Sequence, residues 1–247
     1  MIDGIEKFKE RFAEYSDCYT IIGGTACDIL MSEADTDFRA TKDIDMILIM
    51  EARYKEFAGI FWEFIKEGGY QPEKGNREKA SFFRFTKPKP GYPSMIELFS
   101  REPDYNFDIP SVIVPLHISD DVSSLSAILL NDDFYRFMLE GRRTVDNVCI
   151  LDALHLIPFK MYAWLNLKDR KENGEHVNER DYKKHKYDVF RLLRIVSRDK
   201  KVASFGLVEE SIQRFLKEIA NENIPFHQLD LPFDLEEALG YLKDIYL

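Results

Sequence analysis

Apolar positions recur along the chain at two periods. Ile5, Phe8, Phe12 and Tyr15 fall at three-to-four spacing and predict an amphipathic helix over 5–15. Cys18 to Ile22 reads as a short buried strand stopped by Gly23-Gly24, followed by a short helix over Thr25 to Met31 and an acidic loop over 33–37. Asp43 to Met50 is the next strand. Over 51–68, Tyr54, Phe57, Ile60, Phe61 and Phe64 line one side of a second amphipathic helix that Gly68-Gly69 ends. After a polar turn, strands over Ser81 to Phe85 and Met95 to Phe99 flank Lys87-Pro88-Lys89-Pro90-Gly91, whose prolines and glycine force a loop. Ser111 to His117, Leu125 to Leu130 and Val145 to Ile150 are further strand candidates.

Beyond residue 150 the period becomes helical throughout. Helices are expected over 151–168, 178–197, 207–221 and 234–246, separated at Asn173-Gly174, Ser204-Phe205-Gly206 and Pro225 to Pro232. The expected fold class is therefore α+β, with a sheet-bearing half over 1–150 and a helical half over 151–247. No internal repeat or low-complexity segment interrupts it.

Composition adds few constraints. The 247 residues, 45% hydrophobic, suffice for a sizeable core. No apolar run approaches the roughly 20 residues that span a bilayer, and Met1 to Lys7 lacks the basic start and apolar stretch of a signal peptide. The expectation is a cytoplasmic protein without a membrane partner. Cys18, Cys27 and Cys149 have no metal-site spacing and read as small core residues in a reducing compartment. With 34 basic and 44 acidic side chains the net charge is −10, which disfavours loose binding of nucleic acid over the whole surface. Positive charge concentrates only over Asn166 to Arg191.

The candidate chemistry begins at Asp43 and Asp45, which enter an apolar strand two residues apart. In a strand they share one face while Ile44 and Met46 take the other. Close-set carboxylates that leave room for phosphate oxygens suit Mg²⁺, whereas two solvated aspartates at a strand end are the plainer alternative. A glycine pair between strand and helix lets a ligand approach the backbone, and the helix start offers unpaired N–H groups to an anion, although an ordinary turn has the same composition. In Met95-Ile96-Glu97-Leu98-Phe99 one carboxylate sits in an otherwise apolar strand. Burying it unpaired costs several kcal/mol, so away from a solvent-facing edge it needs a metal or a cation. Three carboxylates on two neighbouring strands can hold two cations about 3.5–4 Å apart, the arrangement of in-line phosphoryl displacement. In the helical half, Lys160 is alone in the apolar run 156–164, which calls for a carboxylate or phosphate partner unless it snorkels. Asp181, Lys184, His185 and Asp188 fall on one helix face, as ordinary surface ion pairs also do. His155 and His185 read as structural rather than as metal ligands.

Gly23-Gly24, Arg39-Ala40-Thr41-Lys42-Asp43-Ile44-Asp45 and the later strand carboxylate resemble the nucleotidyltransferase superfamily of the polymerase-beta type. More narrowly, Arg-x-Thr-Lys-Asp-Ile-Asp followed by a helical half is similar to the AbiEii family of abortive-infection, toxin-like nucleotidyltransferases. The likeness covers most of the chain and is sharp at these motifs; the wider superfamily commonly has Gly-Ser where this chain has Gly23-Gly24.

The resemblance implies a mixed sheet with flanking helices and Mg²⁺ held by Asp43, Asp45 and Glu97. It also implies a nucleoside triphosphate held by Gly23, Gly24, Thr25 and Arg39, with catalytic roles for Lys160 and for the helix pair Lys184 and Asp188. The expected reaction moves a nucleoside monophosphate to an acceptor hydroxyl on RNA, particularly a tRNA end, on a protein or on a small molecule. The chain would then be the toxin of a toxin–antitoxin pair, with an antitoxin protein as partner. The competing reading is a non-catalytic nucleotide sensor or partner-binding protein on the same fold.

Overall fold

The computed structural model describes residues 4–49, 53–72, 83–99 and 131–247. The expected strands over 111–117 and 125–130 and the polar turn before residue 81 lie outside them. The chain divides into two compact units, Met1–Ile118 with Arg142–Asp152 and Ser119–Gly141 with Ala153–Leu247.

Among the described residues the first unit carries a mixed sheet of seven strands: β1 (Tyr19–Ile22), β2 (Asp43–Leu48), β3 (Gln71–Pro72), β4 (Phe83–Thr86), β5 (Met95–Phe99), β6 (Arg142–Val145) and β7 (Val148–Leu151). Their order is β3-β4-β5-β2-β1-β7-β6. Strand β2 runs antiparallel to β1 and parallel to β5, and β4 is antiparallel to β5. Helices α1 (Ile5–Phe12), extended by a 3₁₀ turn over Ala13–Tyr15, α2 (Gly23–Glu33) and α3 (Tyr54–Gly68) complete the described part of this unit. An α+β architecture is thus observed.

Strand register sorts the side chains. Tyr19, Ile21, Met46 and Ile96 share one sheet face, where α1 and α3 bring a cluster of rings: Phe8 lies 5.6 Å from Tyr19, Phe12 5.5 Å from Phe57, and Phe61 5.5 Å from Phe85. Burial of these rings, at about 25 cal/mol per Å², anchors the sheet. Asp43, Asp45 and Glu97 take the opposite face, as the two-residue period requires.

Two expectations change in detail. Gly23-Gly24 does not form a separate turn: both glycines belong to the first turn of α2, with Gly23 at φ 69°. The single strand expected over Val145 to Ile150 is the hairpin β6–β7, because Asp146 and Asn147 both take positive φ, 46° and 66°, as a tight two-residue turn demands.

The described part of the second unit is helical: α4 (Asp132–Glu140), α5 (Ala153–Glu172), α6 (Glu179–Leu193), α7 (Gly206–Ile219) and α8 (Leu235–Tyr246). Helix α5 packs on α4, α6 and α7, with Trp164 set edge-on to Phe215 at 5.4 Å. Pro158 lies inside α5 and has no N–H for the Leu154 carbonyl; the Tyr246 hydroxyl donates to that oxygen instead, at 2.6 Å. No helix among the described residues is long and apolar enough to cross a membrane.

Candidate functional site

In the first unit the candidate residues lie where β1 ends, α2 begins and β2 enters the sheet. Ile22 pairs with Asp45, so Gly23 is set beside the aspartate. A Cβ at residue 23 would stand 2.0 Å from Asp45 Oδ2. A Cβ on Gly24 would stand 2.7 Å from Thr41 Oγ1 and 3.5 Å from an Arg39 guanidinium nitrogen. Both glycines thus leave space that the polar side chains of the 39–45 segment occupy. The Thr25 hydroxyl donates to the Asp43 carbonyl and ties α2 to the start of β2.

The neighbouring strand adds Glu97. Asp45 and Glu97 are register partners on parallel strands, and Arg84 is Glu97's partner on β4. A register row runs Arg84–Glu97–Asp45–Ile22 across the sheet, and Gly23 follows Ile22 against the Asp45 side chain. The Glu97 side chain is buried, Arg84 Nε donates to its Oε1, and a side-chain hydrogen bond links it to Asp45. Burial first, and the Asp45 charge second, push the Glu97 carboxyl up to about 8 against the opposing pull of Arg84. The nearby Asp45 charge thus disfavours a second negative charge on Glu97.

The cation that a buried Glu97 requires is therefore present in the chain as Arg84. Sequence reading does not single it out, because its place opposite Glu97 depends on the register across the Lys87–Pro93 loop. The sum of paired positions, constant from Thr86–Met95 to Phe83–Leu98, fixes that register once the hairpin is formed. Among the described residues, no group of three or more His, Cys, Asp or Glu side chains is arranged to hold a metal ion.

In the second unit Lys160 is buried, not snorkelling. Its Nζ lies 3.4 Å from Asp188 Oδ2, while Arg191 Nη1 donates to the other carboxylate oxygen at 3.1 Å. Asp188 has no solvent exposure. Arg191 is a further residue that sequence reading passes over, although it stands one helical turn from Asp188. Lys184 sits 3.9 Å from Asp181. His155 and His185 are both buried, His155 against the Phe137 ring at 4.6 Å.

Several cations of the basic stretch 166–191 are ion-paired. Lys168 pairs with Glu172 and Glu218, Arg170 with Glu175, Lys171 with Glu179 and Lys186 with Glu222. A cavity of about 580 Å³ opens among these residues, with the Tyr182 hydroxyl and Lys186 both bound to Glu222.

The structure thus brings Gly23, Gly24, Thr25, Arg39, Asp43, Asp45 and Glu97 together in one unit, and Lys160 with Asp188 in the other. Comparison with known protein families and with curated proteins gives no match to this chain.

Proposed function

We propose that this chain is an Mg²⁺-dependent nucleotidyltransferase of the polymerase-beta type, most similar to the AbiEii toxin-like enzymes, and that it moves a nucleoside monophosphate from a triphosphate to an acceptor hydroxyl. The observation that carries this reading is the hydrogen-bonded carboxyl pair Asp45–Glu97 beside the glycine-opened start of α2. A buried carboxyl beside a half-buried one is a donor set whose charge a divalent cation would offset, and Asp43 stands on the same face two residues away. Their carboxyl oxygens are the donor type that Mg²⁺ takes, while among the described residues no three such side chains are arranged to hold a metal ion.

When bound there, Mg²⁺ would supply charge neutralisation at the triphosphate oxygens and lower the barrier to displacement at the α-phosphorus. The chain supplies the rest. Gly23 and Gly24 admit phosphate close to the α2 backbone, whose first N–H groups favour an anion. Thr25 fixes that helix start to β2, and Arg39 adds a positive charge beside it. Asp43 and Asp45 would hold the cation, and Glu97 would hold a second one and help activate the acceptor hydroxyl. The products are the nucleotidylated acceptor and pyrophosphate. The resemblance gives Lys160, Lys184 and Asp188 a part in catalysis as well.

For the acceptor, the ion pairs of Lys168, Arg170, Lys171 and Lys186 weaken segment 166–191 as an RNA track and favour a hydroxyl on a small molecule or a protein. A tRNA end remains the competitor that the family resemblance names. A role as the toxin of an antitoxin-controlled pair, acting in the cytoplasm, completes the reading. Mass spectrometry of total RNA, protein and metabolites after incubation with the four triphosphates and Mg²⁺ tests it: an added nucleotide on one class identifies the acceptor, and none on any class contradicts transfer.

One observation favours a second reading. Glu97 is already engaged by Arg84 and Asp45, an arrangement that a non-catalytic nucleotide-sensing protein would keep permanently. Calorimetry showing Mg²⁺-dependent triphosphate binding without turnover would select it.

A further inference from the structure

The cavity of about 580 Å³ in the helical unit gathers lysines in a chain whose net charge is −10. Lys168 and Lys171 on α5, and Lys183 and Lys186 on α6, are two pairs at i,i+3 spacing, so each helix brings two ammonium groups to one opening. Lys186 is buried in the wall, its side chain 5% exposed, and Lys171 and Lys186 stand 4.8 and 5.3 Å from the centre of the same ring, Tyr182. Like charges held this close need anions among them. Three carboxylates of the lining serve, and they are not held equally. Glu222 accepts from Lys186 Nζ at 2.5 Å and from the Tyr182 hydroxyl at 2.9 Å. Glu172 on Lys168 and Glu179 on Lys171 are 60% and 58% exposed. Exposed pairs of that kind contribute little, whereas a shielded pair is costly to break.

A competing anion therefore displaces Glu172 and Glu179 into water and leaves Glu222 in place. The cavity then sets four ammonium groups against one carboxylate, an excess of three positive charges. A single phosphate group carries about 1.5 to 2 negative charges near neutral pH, and two joined phosphates carry about three. Lysine ammoniums meet phosphate as point charges, and the cavity volume lies within the range of about 300–1,000 Å³ usual for small-molecule sites. We propose that this cavity binds a diphosphate group, free or esterified to a small organic alcohol, with Lys168, Lys171, Lys183 and Lys186 on its oxygens. The proposal does not rest on the nucleotidyltransferase reading and needs no metal ion. No covalent bond changes; lysine–carboxylate contacts are exchanged for lysine–phosphate contacts. A cavity of this size takes a compact anion rather than the phosphates of a nucleic-acid strand.

Calorimetry on the full chain with inorganic pyrophosphate, in buffer containing a metal chelator, tests the proposal. Wild type should bind, and the double variant Lys171→Gln, Lys183→Gln should bind about tenfold more weakly or worse, the scale of lost hydrogen bonds to charged groups. Lys183 is exposed and Lys171 is 47% exposed, so this variant should melt with wild type. The double variant Glu172→Gln, Glu179→Gln, which removes the competing carboxylates, should bind about threefold more tightly or better. Glu210→Gln, an exposed carboxylate of α7 outside the cavity lining, should leave the affinity as it was. A nucleoside diphosphate that binds more tightly than pyrophosphate supports an ester as the ligand, and the reverse order supports free diphosphate. The proposal is overturned if wild type gives no heat with pyrophosphate, if inorganic phosphate binds as tightly, or if removing the two glutamates does not tighten binding. It is overturned equally if the loss follows Arg39→Gln instead of the lysine variant, which would assign the anion to the first unit. Binding of a single-stranded RNA oligomer through these lysines, with none of pyrophosphate, would also contradict it.

Discussion

Gly23 and Asp45 are fitted to each other: with residue 23 at φ 69°, any Cβ there would lie 2.0 Å from Asp45 Oδ2. A Gly23→Ala substitution therefore forces a left-handed backbone on alanine and drives the aspartate from its place. The expected result is a loss of stability of about 1–3 kcal/mol together with loss of Mg²⁺-dependent activity. Gly24→Ala meets the Thr41 side chain, which can rotate, and should cost about 1 kcal/mol or less with partial activity retained. Urea denaturation and initial rates on both variants check the contrast.

Glu97 predicts the pH dependence of the metal-free protein. Its carboxyl is raised in the folded state by burial first and by Asp45 second, so the folded chain binds that proton more tightly than the unfolded chain. Stability from this group is complete below the ordinary glutamate value and is lost as pH rises through the folded value, about 8. Urea melts of wild type without metal should therefore show this loss between roughly pH 5 and pH 9, and Glu97→Gln should flatten it. Added Mg²⁺ should stabilise wild type more at the upper end than at the lower. A Glu97→Gln profile that parallels wild type would contradict the assignment.

Asp188 and Lys160 should respond unequally to removal. Asp188→Ala leaves the buried Lys160 ammonium without this carboxylate and should cost about 3–5 kcal/mol. Lys160→Met leaves Asp188 still bound to Arg191 at 3.1 Å and should cost less. Chemical denaturation of the two variants gives the order directly.

The bond from Tyr246 to the Leu154 carbonyl exists because Pro158 has no N–H to offer there. Tyr246→Phe should destabilise by about 1–3 kcal/mol, and that cost should shrink in a Pro158→Ala background, where residue 158 regains a donor. A double-mutant cycle without coupling would show that the proline is not the reason for the contact.

Much of the site's logic is legible in the chain. The two-residue period already places Asp43 and Asp45 on one face, away from Ile44 and Met46, and the apolar frame of Glu97 already says that a cation must attend it. Which cation attends it is not legible, because Arg84 meets Glu97 only through a register set across the Lys87–Pro93 loop. Local composition hides two further features. Gly23-Gly24 reads as a stop, yet it opens α2, since a single left-handed glycine lets the strand turn straight into a helix. Val145 to Ile150 reads as one strand, yet two positive-φ residues fold it back on itself. The Lys160–Asp188 contact is long-range, and only the packing of α5 on α6 creates it.

Transfer itself is the central claim, and labelled triphosphates test it most directly. Wild type with Mg²⁺ and a panel of RNA, protein and small-molecule acceptors should incorporate α-labelled nucleotide into one class, and the Asp43→Ala, Asp45→Ala double variant should incorporate none. Equal incorporation by the two proteins would contradict the account.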